Sequence, residues 1–125
     1  MGTRAVITFH DEQTKQKYSV YQHWDGDPHT VTHRIKHNGK CWRWPRYEAD
    51  EFAAAYIATN KTDSGDIRLT TGAKAHGDLS YAYDVIAQKN AQGGTERLKV
   101  VIKDCYTKRK IGTEYITPEV NNGRA

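Results

Sequence analysis

Alternation of apolar and polar residues predicts a β-hairpin at the start of the chain. Residues 4–10 and 17–24 both alternate in this way, and residues 11–16 between them are all polar. A polar connection of this length is typical of a hairpin. Because successive side chains of a strand point to opposite faces, Tyr21 and His23 are expected to share one face.

Two segments carry the start and stop signals of helices. Asp27 followed by Pro28 is typical of a helix start, because the carboxylate accepts a backbone N–H and proline fits the first turn. This helix is predicted over residues 28–37. A second helix is predicted over residues 47–59. Its first turn contains acidic residues, which the helix dipole favours, and its apolar residues lie along one face, as in a helix that packs on a core.

The second half of the chain is predicted to form further strands, at residues 66–71, 79–87, 97–106 and 111–116. Their connections contain glycine and asparagine, which favour turns. The sequence therefore predicts one α+β domain over residues 1–117, with a mostly antiparallel sheet of five or six strands and two helices packed on one face. Residues 118–125 are polar overall and are expected to form a flexible tail.

The size and composition fit a single folded domain. The 125 residues (14.2 kDa) include eight Tyr and three Trp, which favour an aromatic-rich core. The net charge of +4 and pI of about 9.1 exclude an acidic mimic of DNA. Cys41 and Cys105 lack the spacing of a metal site, and no signal-peptide core or membrane-length apolar run is present in the sequence. We expect a cytoplasmic protein with free thiols and no membrane partner.

The most distinctive motifs lie in roughly the first thirty residues. The opening M-G-T-R-A-V-I and the later Y-Q-H-W-D-G-D-P at residues 21–28 resemble a group of short phage and prophage proteins. That group has the patterns M-[GS]-T-R-[AS]-x-I and Y-x-H-W-D-G-x-P, often with an aromatic residue where this chain has Asp27. The resemblance implies a phage or prophage context and implies no particular catalysis.

Three histidines stand four residues apart on the first predicted helix. His29, His33 and His37 therefore project along one side, and a pair of histidines at this spacing can ligate a metal, with Asp25 adding a carboxylate. The same side is where the polar residues of an amphipathic helix belong. We expect a solvated face and no cofactor, and a metal site is the alternative.

The loop before the first helix offers a histidine and carboxylates for acid–base chemistry. A carboxylate beside an imidazole fixes its tautomer and raises its basicity, so His23 and Asp25, with Asp27, could serve a small hydrolase. The sequence places no Ser or Cys nucleophile in a recognisable motif. In the structural alternative, the aspartates cap the helix, His23 bonds a backbone group and Trp24 packs in the core.

Cations and aromatic residues are interleaved between the two predicted helices, in K-C-W-R-W-P-R-Y at residues 40–47. Single-strand nucleic-acid binders use this pattern, because rings stack on bases and cations neutralise phosphates. An extended connector that buries its tryptophans has the same pattern. Exposed arginine and aromatic side chains also anchor protein interfaces. The predicted partner-binding residues are Tyr21, His23, Arg43, Trp44 and Arg46.

The resemblance and the lack of a complete catalytic set favour a binding protein over an enzyme. We expect a phage or prophage accessory protein that binds a host protein or ribonucleoprotein complex, as an inhibitor of a bacterial defence system such as CRISPR would. The alternatives are a hydrolase at residues 23–27 and a nucleic-acid-binding module that uses residues 40–47 and the basic turn 108–110. The protein is expected to be a monomer or a homodimer.

Overall fold

Six strands and two helices make up residues 3–119, the part of the chain that this computed structural model describes. The strands are β1 (Ala5–His10), β2 (Lys17–Gln22), β3 (Ile67–Thr70), β4 (Tyr81–Lys89), β5 (Thr95–Asp104) and β6 (Arg109–Ile116). The helices are α1 (Pro28–Lys36) and α2 (Ala49–Asn60).

The strands form one sheet in the order β3-β2-β1-β4-β5-β6. All neighbouring strands are antiparallel except β1 and β4, which run parallel. A parallel pair needs a long crossover connection, and this one carries β2, both helices and β3. The predicted α+β fold, with a mostly antiparallel sheet and two helices on one face, is confirmed.

The first helix begins where the sequence predicts. Asp27 is its N-cap, and the carboxylate accepts a hydrogen bond from the Thr30 backbone N–H at 3.1 Å, an interaction that stabilises a helix by on the order of 1 kcal/mol. The second helix begins at Ala49, two residues later than predicted, because Glu48 before it is extended with φ −134°. No helix within residues 3–119 combines the length and apolar character needed to cross a membrane.

Both helices pack on one face of the sheet and enclose the main core. Phe9 of β1 contacts Phe52 and Tyr56 of α2, with ring centroids 5.7 and 5.8 Å apart. The Tyr56 hydroxyl donates to Gln22 Oε1 at 2.7 Å, so the buried amide of β2 is satisfied inside the core. Aromatic rings lie at the centre of the core, as the composition predicts.

The opposite face of the sheet is partly covered by a segment that the sequence analysis does not predict. Residues 71–80, called the covering segment below, include a 3₁₀ turn at Ala73–Ala75. The segment buries Leu79 against Val6 and Tyr21. For this reason β4 begins at Tyr81 rather than at residue 79.

The predicted strand 17–24 ends two residues early, at Gln22. Asp25 adopts a left-handed backbone with φ 59°, and the Gly26 N–H donates to the Thr3 carbonyl at 2.8 Å, so the chain turns across the start of β1. This turn points Trp24 outward, and the residue is 45% exposed. The structural alternative that packs Trp24 in the core is therefore wrong.

The start of the predicted tail packs on α1. Pro118 is buried, and the Glu119 backbone N–H donates to the Lys36 carbonyl. The Glu119 carboxylate also lies 3.9 Å from Lys36 Nζ. Positions 120–125 of the predicted tail lie outside the described residues.

Candidate binding face of the sheet

The sheet face opposite the helices, called the open face below, is organised by strand register. Residues paired across neighbouring strands point to the same side of a sheet. The first row across the open face is Arg68, Tyr21, Val6, Ala82, Lys103 and Lys110. The second row is Thr70, Ser19, Thr8, Asp84, Val101 and Thr113. The third row is Lys17, His10, Ile86, Lys99 and Tyr115, and Arg97 follows beyond it opposite Gln88.

Cations dominate the open face. The basic strand residues on it are Lys17, Arg68, Arg97, Lys99, Lys103 and Lys110. Asp84 is the one carboxylate in these rows of described residues, and its Oδ1 atom lies 2.8 Å from His10 Nε2. Acidic residues concentrate elsewhere, for example at Asp50 and Glu51 in the first turn of α2. The open face is therefore a positively charged surface of the kind that attracts polyanions.

A groove of about 820 Å³ lies on the open face between the strands and the covering segment. The hydroxyls of Thr8 and Ser19, 2.8 Å apart, lie among the strand residues that line it. The lysines around the groove are Lys17, Lys74, Lys103 and Lys108. The volume is within the range of about 300–1,000 Å³ that is usual for ligand sites. The carboxylates of Asp84 and Asp104 also line the groove. Four lysines against two carboxylates leave a net positive lining, which suits an anionic ligand.

Four residues form an aromatic and cationic cluster at one end of the first row, called the Tyr21 cluster: Tyr21, His23, Arg68 and His76. The His76 ring stacks on Tyr21 with centroids 4.4 Å apart and 14° between planes, and the Arg68 guanidinium lies 4.6 Å from the Tyr21 centroid. The Tyr21 hydroxyl lies 2.7 Å from His23 Nδ1, which confirms their shared face. Because Tyr21 is only 3% exposed, the surface that a partner can reach consists mainly of the two histidines and the arginine.

The environment of His76 favours its neutral form. His76 Nε2 lies 2.7 Å from Thr70 Oγ1. Burial, and to a smaller degree the charge of Arg68, lowers the pKa of His76 from its usual value of 6.5. The stacked imidazole therefore anchors the covering segment to Tyr21 without adding a charge at neutral pH.

We expect His76 to make the protein less stable in acid. The imidazole of His76 binds a proton at a higher pH in the unfolded chain than in the folded protein. The stabilisation from the neutral ring is therefore present above pH 6.5 and is lost as the pH falls from there through the folded-state pKa. Thermal unfolding compared at about pH 8 and about pH 5 should show a smaller loss in His76→Gln, which keeps a donor near Thr70. The exposed His29→Gln is the control. An unchanged pH profile in His76→Gln would contradict this role.

The structure does not bring His23 and Asp25 together. The His23 ring bonds Tyr21 on the open face, whereas Asp25 Oδ2 lies 3.8 Å from Arg34 Nη2 of α1. Asp27 is engaged as the helix cap. The base and the acid that the hydrolase hypothesis pairs therefore have separate partners on different elements.

Neither cysteine offers a thiolate nucleophile. Burial, with a contribution from Glu51, raises the pKa of Cys41 to about 12. Burial, with a contribution from Asp104, also raises the pKa of Cys105. Both cysteines are free, as the sequence predicts. Since the thiolate is the reactive form, the described residues include no activated cysteine.

The connector between the helices, residues 40–47, packs on the helix side of the sheet. Trp44 is half-buried against the main core, and Arg43 is exposed. Trp42 is 36% exposed, and the Arg46 guanidinium lies 3.4 Å from its ring centroid. The predicted partner-binding residues thus divide between two surfaces, the connector and the Tyr21 cluster.

The three helix histidines lie along the outer side of α1. His29 and His33 are exposed, the rings of His33 and His37 are 4.5 Å apart, and His37 Nδ1 lies 3.6 Å from Glu119 Oε1. Within residues 3–119, no group of three or more His, Cys, Asp or Glu side chains could hold a metal ion.

The sequence of β5 contains a signal for the open face, although none of the predicted site residues lies on this strand. In β5, Arg97, Lys99 and Lys103 alternate with the buried residues Leu98 and Val100, the pattern of a strand with one cationic face and one core face. Whether the cations of the other strands lie on the same face depends on the register of strand pairing, which local sequence patterns do not define.

Comparison with protein-family models, curated proteins and solved structures finds no match for the chain. The resemblance to phage and prophage proteins therefore stays a prediction.

Proposed function

We propose that this protein is a binding module for single-stranded nucleic acid and that the open face is its binding surface. The observation that carries the proposal is the charge of that face. Among the described strand residues that point to it, six are lysine or arginine and one is a carboxylate. Lysine and arginine side chains that replace the counterions of phosphates supply most of the affinity for nucleic acids.

The spacing of the cations favours an extended ligand over a single anion. Neighbouring strands lie about 4.8 Å apart, so β2 and β5, which are separated by β1 and β4, are about 14 Å apart. Because side chains stand roughly perpendicular to a sheet, Lys17 on β2 and Lys99 on β5 are better placed to contact two different phosphates than to share one. Several phosphates along one nucleic-acid strand can contact the cations at both ends of the face.

Exposed rings on and beside the open face favour a single strand over a duplex. Tyr115, in the third row, is 51% exposed, and the Arg97 guanidinium lies 4.3 Å from its ring centroid. Tyr106, in the turn before β6, is 85% exposed. Such rings stack on unpaired bases, whereas the bases of a duplex already stack on one another.

This proposal is compatible with the phage context that the sequence predicts. The nucleic acid of a host ribonucleoprotein complex, in the cytoplasm of a bacterial cell, is a target that a basic face suits. Inhibition of a defence system such as CRISPR stays a prediction from the resemblance.

The connector favours a second candidate function, the binding of a host protein. Arg46 stacked on the exposed ring of Trp42 is the type of arginine and aromatic pair that anchors protein interfaces. Because the connector lies on the helix side, an experiment that maps the contact distinguishes protein binding there from nucleic-acid binding at the open face.

The salt dependence of binding tests the proposed function. Fluorescence anisotropy of a labelled oligothymidylate of about 12 nucleotides should show affinity falling with salt, with a slope of log K against log salt of about −3 to −4 if four to six phosphates are contacted. No binding at low salt, or a slope near zero, would contradict the proposal.

A further inference from the structure

A second, smaller cavity opens beside Trp24 at the end of β2. Its volume is about 240 Å³, and Trp24, Asp25, Arg34 and Asn60 are among its lining residues. This is below the range of about 300–1,000 Å³ of pockets for drug-sized ligands. The cavity therefore fits a small planar group rather than a whole cofactor.

Two buried side chains hold the backbone that follows Trp24. The Gln22 side chain donates to the Asp25 carbonyl at 2.7 Å, and the Tyr83 hydroxyl donates to the Gly26 carbonyl at 2.6 Å. The backbone beside Trp24 is thus held in place, and the indole, which is 45% exposed, packs edge-on against His23. A fixed aromatic ring loses little conformational entropy when a ligand stacks on it.

The polar groups of the cavity distinguish a nucleobase from a phosphate. Asp25 and Arg34, whose charged atoms are 3.8 Å apart, both line the cavity. The carboxylate only accepts hydrogen bonds, and the guanidinium only donates them. A base edge offers both donors and acceptors. A phosphate offers acceptors alone and is repelled by Asp25.

The cavity lies on the helix side at the end of β2, where Gln22, Arg34 of α1 and Asn60 of α2 line it, and Trp24 connects it to the open face. The Trp24 ring contacts the edge of His23, with centroids 4.7 Å apart, and His23 belongs to the Tyr21 cluster that ends the first row. A nucleic-acid strand that leaves the first row past His23 can therefore place a base beside Trp24.

We propose that this cavity binds one unpaired nucleobase, stacked on Trp24 with its edge against Asp25 and Arg34. The inference rests on the proposed function, because the open face must bind the strand that carries the base. It adds a requirement that the charged face alone does not impose: the ligand must have a base at that position.

The test compares two ligands with the same number of phosphates, an oligothymidylate of about 12 nucleotides and an abasic oligonucleotide of the same length. Wild-type protein should bind the thymidylate more tightly. Trp24→Ala and Trp24→Leu should each reduce that preference by about 5- to 150-fold, the effect of one base stack, and should leave the affinity for the abasic ligand unchanged. Trp42→Ala, which removes another partly exposed indole outside the cavity, is the matched control.

The outcomes separate this inference from the proposed function. Equal preference in wild type and both Trp24 variants overturns the base site while leaving phosphate binding by the open face intact. Failure of wild type to bind either oligonucleotide overturns both. Trp24→Leu keeps apolar bulk without a ring, so a folded Trp24→Leu gives a decision even where Trp24→Ala fails to fold.

Discussion

Gly26→Ala is expected to destabilise the protein by about 3 kcal/mol. A Cβ atom at position 26 would lie 2.6 Å from the Thr3 carbonyl oxygen and 2.7 Å from Ala5 Cβ. Neither atom belongs to a flexible side chain that can move aside, and Ala5 is fully buried in β1. The loop must therefore shift, which breaks the hydrogen bond from the Gly26 N–H to Thr3.

Urea unfolding of Gly26→Ala and Gly39→Ala measures this effect against a matched control. A Cβ atom at Gly39 meets nothing within 4 Å, so that variant should unfold within about 0.5 kcal/mol of wild type. Equal stability of the two variants would show that the loop absorbs the extra atom. It would also contradict the rigid loop on which the presentation of Trp24 depends.

The double reversal Lys99→Glu/Lys103→Glu is expected to weaken binding of single-stranded nucleic acid by about 100-fold or more at low salt. Both residues lie on β5 within the open face, and neither forms an ion pair with a described residue. Each reversal removes a phosphate contact and adds repulsion. The slope of log K against log salt should become less steep as well.

The matched control is Lys36→Glu/Lys40→Glu, which makes the same change of net charge on the helix side. Both lysines are exposed, and Lys40 begins the connector that the sequence offers as the alternative nucleic-acid site. We expect this control to bind nearly as wild type does. A control that loses binding while the β5 variant keeps it would assign the contact to the connector. Circular dichroism of both variants checks that the fold is retained.

Local patterns in the sequence predict the elements because their causes are local. The cap at Asp27 needs only Pro28 beside it and a backbone N–H three residues later, and the structure has that bond. Alternation predicts most of β5, because Arg97, Lys99 and Lys103 lie on the face opposite the buried residues Leu98, Val100 and Ile102. The aromatic centre of the core likewise follows from composition.

The candidate site is less predictable because it depends on contacts between distant residues. The parallel pairing of β1 with β4 aligns Thr8 with Asp84, and no local pattern defines that register. His76 stacks on Tyr21 across fifty-five positions of the chain. Exposure of Trp24 depends on a turn fixed by Thr3, which hydropathy does not predict. The sequence therefore indicates the Tyr21–Pro28 motif but not the surface to which it belongs.

The most direct test of the account is to map the contact by nuclear magnetic resonance on nitrogen-labelled protein titrated with oligothymidylate. We expect amide shifts to concentrate in β5, β2 and the covering segment, with the Trp24 indole signal among those that move. In the helices, only Arg34, Asn60 and their neighbours, which lie at the Trp24 cavity, should shift, and the connector should change little. Shifts confined to residues 40–47 and to the rest of the helices, with the open face unchanged, would contradict binding by the open face.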